Sequence, residues 1–496
     1  VTVELKVYTT AGVLQGTVQA ALEQVNHELS APGTATVTVP ASLSSLLVTD
    51  RVVRVELDGT EVAAGLVRQE DDQADDSGGM RTYSLPGVLH LLGDGLQKWP
   101  AGMNDVQEVW YGWAHPDFDA TGYSAALSWG TVQSVPLPTP RPAGFPDPLA
   151  HLITSVAALG QGPRDDYYFA DFTLAAQTRM GFYFGSDDGH QVMLQGALIS
   201  SVTGPNQGLN YSETIYTLPA GTYRVAGKVR NEDRGTSNVT NATWLTGSGI
   251  ELDGNDQPTG TVIFRTSTSW VHASDPASPP GQTPGEILRL WLEAAQGRGT
   301  TLLDDVTLGF DDADDSDGDA WTAINLPVRV GSSGLNLVQD LAAAGVQVWM
   351  DPDLTLQARQ GTGPDVTATV TLNRVSGSRP GEQATVIWAW TENGWVEETS
   401  GASTRYERFL SLSGWLEGEH KQQTDQALDD WAAGRETATF AIEPGSAAKV
   451  PVTDFGLGYL VDGDDMDGVS SDWLVTRMTL ERDGEHYVWN VSGVKQ

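Results

Sequence analysis

Between Val3 and Leu85 polar and apolar residues alternate with a period of two in short runs broken by turn residues, and this pattern constrains the fold more than any other feature of the chain. Successive side chains of a strand point to opposite faces, so the alternation belongs to half-buried sheet and not to helix. The runs are Val3–Tyr8, Thr34–Val39 closed by Pro40, Arg51–Leu57 and Glu61–Arg68. Asp58-Gly59 between the last two is a hairpin turn. An acidic loop over 70–76 ends in Gly78-Gly79, Arg81–Leu85 resumes a strand, and Val88–Leu92 reads as a short helix.

The composition changes near Asp105. Trp110, Trp113 and Trp129 precede a proline-rich run from Pro136 to Pro148 that fits neither a central strand nor a helix, so a new unit begins there. Leu149–Leu159 has helical spacing. Tyr167–Leu174, Arg179–Phe184, Gln191–Leu194, Gly221–Val229 and Thr261–Arg265 are strand-like runs bounded by turn residues, which suggests a β-sandwich. A second Pro/Gly-rich stretch, Pro276–Pro284, closes that unit.

Thr283, Pro284 and Glu286 then open a helix as N-cap, first-turn proline and N3 carboxylate, with Ile287, Leu288, Trp291, Leu292 and Ala295 on one face. A polar loop follows at 311–319. A second amphipathic helix is predicted over Leu335–Ala344, ended by Gly345 and followed by a strand at Val346–Met350. A third helix is expected at Lys421–Ala433, before strands at Glu436–Glu443, Asp472–Leu480 and His486–Val491. A chain of 496 residues has room for about three domains at roughly 150 residues each, and no fixed-period repeat runs through it.

Charge and composition exclude several function classes. With 28 Lys and Arg against 65 Asp and Glu the net charge is −37, which disfavours non-specific nucleic-acid binding and anionic membrane surfaces. The absence of cysteine removes disulfides, thiolate zinc sites, iron–sulfur clusters and a cysteine nucleophile. No secretion signal is visible at the start and no 18-residue apolar run occurs, so no membrane span is expected. Sixteen Trp and 55 Gly lean toward β structure, and the reading from the residues is a mostly β, multidomain, soluble protein.

No catalytic signature is complete. His27-Glu28 begins a zincin-like pattern, but the second ligand would fall on Ala31, so the two are read as a surface pair. Gly221 to Val229 resembles a phosphate loop that is one residue too long and ends in Val229 where a hydroxyl is required, and is read as a strand. The eight histidines (27, 90, 115, 151, 190, 272, 420 and 486) have no local ligand spacing, and no nucleophile-elbow motif occurs. Among 65 carboxylates chance pairs abound, so a glycosidase stays open without specific support. The acidic stretches 70–76, 311–319 and 462–467 have the composition of calcium loops, yet EF-hand spacing counted from Gly318 and Gly468 puts Ala313 and Gly463 at the first ligand. They are read as solvated loops. The sequons at Asn238, Asn241 and Asn490 carry little without a secretion signal. The aromatics of 105–275 would suit either a sugar-stacking platform or a core, with Trp110, Trp113 and Trp244 the residues in question and core the commoner use. No catalytic, metal or cofactor site is assigned, and ligand-binding residues stay open.

Taken in order, these patterns resemble the minor tail proteins of long-tailed phages of actinobacteria that form the tail-tip or baseplate hub. Leu22 through Val67 is similar to the first hub domain, through Asn26 to Ser30, Ala35–Val39, the apolar loop to Leu47, Val52–Leu57 with Asp58-Gly59, and Gly65. Pro284 to Arg289, Ala294 to Gly299, Leu308–Phe310, Asp315–Gly318 and Trp321, then Val330-Gly331, Leu335–Ala344, Trp349 to Ala358 and Arg359 to Gly361, resemble the middle segment. Arg435–Ile442, Pro451 to Gly458 and Val475–Leu480 before Trp489 resemble the last tube-type domain. Gly112 to Pro116 with Phe118-Asp119, Pro146 to Ala150, Tyr168-Phe169, Phe172 to Leu174, Asp187-Asp188 and Leu218 to Gly221 are similar to galactose-binding-like jelly rolls of such proteins.

The resemblance implies a mainly β, multidomain architecture. A first hub β-barrel would span 1–104, an inserted jelly-roll β-sandwich 105–278, a small α/β segment 279–370 and a second hub β-barrel 371–496. It implies a structural virion protein of a siphophage, made in the host cytoplasm, that closes the tail tube and lets DNA pass. It further implies a homotrimer whose two barrels per chain give a pseudo-sixfold ring, with a distal tail protein or the tail tube, the tape-measure protein and tail-fibre or tip proteins as partners. The sandwich is expected to contact either a partner or a host cell-wall glycan, and specific nucleic-acid binding, a cofactor and an enzyme activity are not expected. Because the chain ends at Gln496 just after a hub-like strand, no attached peptidase or fibre is expected. A secreted or surface carbohydrate-binding protein is the alternative, and a cytosolic enzyme a third.

Overall fold

The computed structural model describes residues 2–68, 79–119, 153–156, 164–186, 189–202, 210–231, 242–265, 271–273, 281–299, 302–378, 386–391, 394–399, 407–411, 436–442, 451–465, 467–483 and 486–496. The protein is mainly β and multidomain. β1 (Val3–Tyr8), β2 (Leu14–Glu28), β3 (Ala31–Pro40), β4 (Val52–Leu57), β5 (Thr60–Leu66) and β6 (Met80–Pro86) pair antiparallel in the order β5-β4-β1-β2-β3-β6. A lone bridge between Gly65 and Gly87 brings the two ends together, giving a small barrel. At the β4–β5 turn Asp58 and Gly59 both have left-handed φ, 50° and 83°, the geometry an Asp-Gly hairpin turn requires.

After a 3₁₀ turn at Val88–Asp94, β7 (Glu108–Tyr111) leads into a two-sheet sandwich. Its strands are β8 (Ile153–Val156), β9 (Arg164–Leu174), β10 (Thr178–Ser186), β11 (Gly189–Leu194), β12 (Ala197–Val202), β13 (Asn210–Leu218), β14 (Gly221–Asn231), β15 (Ala242–Leu252), β16 (Pro258–Arg265) and β17 (Val271–Ala273). One sheet runs β13-β10-β15-β16, with β8 also on β15, and the other β17-β9-β14-β11-β12-β7. The helical spacing over Leu149–Leu159 is misleading where the structure describes it. Ile153–Val156 is β8, antiparallel to β15, since a short run with β-branched Ile, Thr and Val suits a buried strand as well as a helix turn.

α1 (Pro284–Gln296) and α2 (Gly334–Ala343) flank a small sheet of β18 (Thr307–Leu308), β20 (Val346–Met350) and β21 (Thr355–Gln360), while β19 (Leu326–Arg329) pairs with β7. Thr283 Oγ1 accepts from Glu286 N at 3.2 Å, and the five apolar residues read from the sequence are all buried. The chain ends with β22 (Thr371–Leu372), β23 (Arg374–Ser378), β24 (Val386–Thr391), β25 (Gly394–Thr399), β26 (Glu407–Ser411), β27 (Thr437–Ile442), β28 (Leu460–Asp464), β29 (Ser470–Asp483) and β30 (His486–Lys495). β23-β27-β30-β29-β28-β22 forms a second barrel, closed because β22 and β23 are consecutive pieces of one segment. The helix expected at 421–433 and the acidic loop 70–76 lie outside the described residues.

Candidate functional site

Two seams organise the molecule. The first joins the barrels: the second half of β2, Gln24–Glu28, pairs antiparallel with Arg477–Glu481 of β29, so both barrels belong to one continuous sheet. Leu22, Val25, Met478, Leu480 and Trp489 are buried together in one shared core. Tyr487 donates its hydroxyl to Leu22 O at 2.9 Å across the seam, and Arg477 pairs with Glu28 at 2.9 Å. His27 is thus on a strand and not a helix; its Nε2 meets Val62 O at 2.7 Å and its ring stacks on Trp489 at 6.1 Å. Burial pushes the His27 imidazole below its ordinary pKa.

Beside this seam the α/β segment closes a concavity of about 380 Å³ lined by both barrels. Arg359, 5% exposed at its side chain, packs its guanidinium between the rings of Trp349 at 4.4 Å and Tyr459 at 5.6 Å. Its ion-pair partner is Asp317 at 3.3 Å. One cation so placed ties the α/β segment to the second barrel through both ring faces and a carboxylate.

The second seam joins the sandwich to the rest. Leu326, Pro327, Val328 and Arg329 of β19 pair with Tyr111, Trp110, Val109 and Glu108 of β7, so the sandwich sheet continues into the α/β segment. Tyr111 belongs to the core built on α1 and α2, whereas Trp110 and Trp113 belong to a core with Tyr167 and Phe169 of the sandwich. Between them Gly112 donates its N–H to Gln282 Oε1 at 2.7 Å and Trp113 to Asn325 Oδ1 at 2.9 Å. Gly112 has φ of 119°, and a Cβ there would stand 2.0 Å from Asn325 Oδ1, so only glycine fits. Trp110 and Trp113, 3% and 0% exposed, are core and present no stacking face. The side chain of Trp244 lies outside the described residues.

Among the described residues His190 and His115 resolve into packing, while His151 and His420 lie outside those residues. His190, fully buried, bridges the two sandwich sheets, with Nδ1 2.7 Å from Ser186 Oγ and Nε2 2.7 Å from Ser200 Oγ. Burial pushes both His190 and His115 down to about 3. His115 stacks on Tyr111 at 4.8 Å.

The acidic stretches share one local device that composition alone did not reveal. Oδ1 of Asp315 accepts from the N–H groups of Asp317 and Asp319 at 2.9 and 3.0 Å, and Oδ1 of Asp465 from Asp467 and Val469, both at 2.9 Å. Asp253 does the same with Asn255 and Gln257 at 2.8 and 2.9 Å. The third residue onward, Gly318, Gly468 or Asp256, takes left-handed φ in each case. The readable signal in the two acidic stretches is therefore Asp-x-Asp-Gly at a turn, with Asp-x-Asn-Asp its variant at Asp253, and in each the first carboxylate caps its own backbone. Among the described residues no group of three or more His, Asp and Glu could hold a metal ion, and no helix is long and apolar enough to cross a membrane.

No protein-family model matches the sequence, and no curated protein matches it. Among solved structures, the chain is similar to the 43 kDa tail protein of prophage MuSo2 from Shewanella oneidensis, at 9% identity and a TM-score of 0.45, with 100% of this chain and 98% of that one covered. It is similar to the tail protein from Neisseria meningitidis MC58, at 9% identity and a TM-score of 0.46, covering 100% and 96%. It is also similar to prophage tail protein gp18 from Listeria monocytogenes EGD-e, at 9% identity and a TM-score of 0.41, covering 99% and 94%.

Proposed function

We propose that this chain is a structural virion protein, the hub at the tip of a phage tail. In this reading it closes the tail tube, joins it to tip or fibre proteins and lets DNA pass during infection. The observation that carries the proposal is the pair of small barrels fused through β2 and β29. Two barrels held rigidly side by side in one chain are what a threefold assembly needs in order to present six similar barrels to a sixfold tube, and closed rings are the usual solution for homo-oligomers. The partners in this reading are two further copies of the chain, a distal tail protein or the tube itself, the tape-measure protein, and fibre or tip proteins. The divisions 1–104, 105–278, 279–370 and 371–496 belong to the same reading.

The sandwich then serves as a module contacting a partner or a host cell-wall glycan, without catalysis. His190 supports this, since it is fully buried and bonded to Ser186 and Ser200 within the fold, where it reaches no substrate. Imaging of tail tips that contain the chain tests the assembly: three copies about a threefold axis are expected, and a ring of six copies overturns the trimer. Incubation with host cell-wall glycans tests the module, and measurable turnover of any of them overturns the non-enzymatic reading.

A further inference from the structure

Three charged side chains converge inside the second barrel from the ends of β27, β28 and β30. Asp465 directly follows β28, Lys495 ends β30, and Glu436 directly precedes β27. Lys495 Nζ stands 2.6 Å from Asp465 Oδ2 and 4.0 Å from Glu436 Oε2, and the two carboxylate side chains are only 6% and 3% exposed. The strand ends are themselves tied, since Lys495 N–H donates to Glu436 O at 2.8 Å. Lys495 lies opposite fully buried Trp473 in the β29–β30 register. Asp465 Oδ1 is already engaged by the N–H groups of Asp467 and Val469, so Oδ2 is the oxygen that meets the lysine. Arg374 Nη1 lies 3.6 Å from the other oxygen of Glu436.

We propose that Lys495 and Asp465 condense in the folded chain to an intramolecular amide, with Glu436 relaying the protons. Glu436 takes one proton from the ammonium, and the resulting amine adds to Asp465 Cγ. Charge that builds on Oδ1 in the tetrahedral intermediate is met by the two backbone N–H groups already aimed at it, as in an oxyanion hole. The Cγ–Oδ2 bond then breaks and Oδ2 leaves as water. Nζ starts with three hydrogens and ends with one; the other two depart with Oδ2, one of them by way of Glu436, so atoms and electrons balance with no co-reactant. One positive and one negative charge vanish together, and Glu436 keeps Arg374 as its counterion.

Holding Nζ within hydrogen-bond distance of the Asp465 carboxylate supplies the advantage of an oriented intramolecular reaction, for which effective molarities reach about 10⁵–10⁸ M. Retaining the ion pair, with Lys495 31% exposed and Asp465 6%, by contrast gains little net stability. The ammonium and the two N–H donors hold the Asp465 carboxyl well below the usual carboxylate range, so the ion pair is the resting state.

Intact mass of the purified, folded, full chain under denaturing conditions tests this. The expected result is a mass lower than the sequence requires by one water, about 18 Da, with tandem fragmentation of a digest joining the peptide of Lys495 to that of Asp465. Lys495→Arg keeps the ion pair without a condensable amine and should show the full mass, as should Glu436→Gln. A full mass in the wild-type chain after prolonged incubation at physiological temperature overturns the proposal. So does a water loss that fragmentation places at an Asp-Gly step such as Asp58-Gly59, where a succinimide forms without Lys495. The wild-type result stands even if a variant folds poorly.

Discussion

At Gly334 two rules of residue choice oppose each other, and the structure says which wins. Gly334 opens α2, where alanine would ordinarily favour the helix by up to about 1 kcal/mol. A Cβ there, however, would stand 2.3 Å from Trp291 Cη2, and one at Gly95 would stand 2.6 Å from the same atom. The indole is slotted between two glycine backbones from segments far apart in sequence. Gly334→Ala is therefore expected to destabilise by about 1–3 kcal/mol, as overpacking does, and Trp291→Ala by about 3–5 kcal/mol, both read from shifts of the urea midpoint. Trp291 was legible as an inward residue from its spacing with Ile287, Leu288 and Leu292, but its slot was not, because no local pattern reports that Gly95 and Gly334 meet. His190 makes a second prediction at this scale. Its imidazole titrates near 6.5 in the unfolded chain and near 3 in the fold, so between those values the unfolded state binds more protons. The stability it contributes is complete above about pH 6.5 and is lost as pH falls toward 3, by roughly 5 kcal/mol at most. Denaturation midpoints of the wild type should fall over that window, and those of His190→Gln should fall less steeply; equal slopes would remove His190 as the cause.

Among the elements, β7 changes what an excision of the sandwich must respect. β7 supplies the pairing edge of β19 and sends Tyr111 into the core of α1 and α2, while Trp113, two residues on, belongs to the sandwich. Removing 105–278 with a short linker strips β19 of its partner and leaves a hole where Tyr111 was. Removing 114–278 keeps β7 and the Gly112-to-Gln282 hydrogen bond. The shorter deletion should give a soluble product with a single cooperative transition, and the longer one a product weakened by at least the few kcal/mol that a lost buried aromatic costs, about 3–5. Equal stability of the two would show that β7 belongs energetically to the sandwich alone. Elements with an unbroken pattern were readable: β1, β4, β5, α1 and α2 lie where alternation, capping and helical spacing put them. β2 was not, although it is the longest strand and carries the barrel seam. Its pairing with β3 slips between Leu22 and Gln24, so Leu22 and Val25 are both buried three residues apart and the period of two is lost at that point.

At the scale of the whole molecule, charge opposes the threefold assembly proposed above. Three copies at −37 each repel one another, and the ion pairs of the described residues, such as Arg68 with Asp50 and Arg289 with Asp312, are satisfied within one chain. Hydrogen bonds from backbone N–H groups to Asp315 and Asp465 cap turns without supplying a counter-charge, so the repulsion is left to solvent and salt to screen. The Debye length shrinks from about 30 Å at 0.01 M salt to about 8 Å at 0.15 M. Association of the isolated chain should therefore strengthen as salt rises through that range, the opposite of an interface built on complementary charge. Sedimentation at fixed protein concentration checks the sign, and association that weakens with salt would mean that oppositely charged patches meet between copies. The same charge gives the proposed channel a testable property. An inner wall lined by Asp and Glu repels DNA phosphates, so the genome slides without adhering, whereas a basic wall would hold it. The competing account is plain solubility, with the acidic loops 311–319 and 462–467 facing outward. An electrostatic map of the assembled ring separates the two: an acidic inner wall is the expected result, and a neutral or basic one leaves the charge with solubility as its sole use.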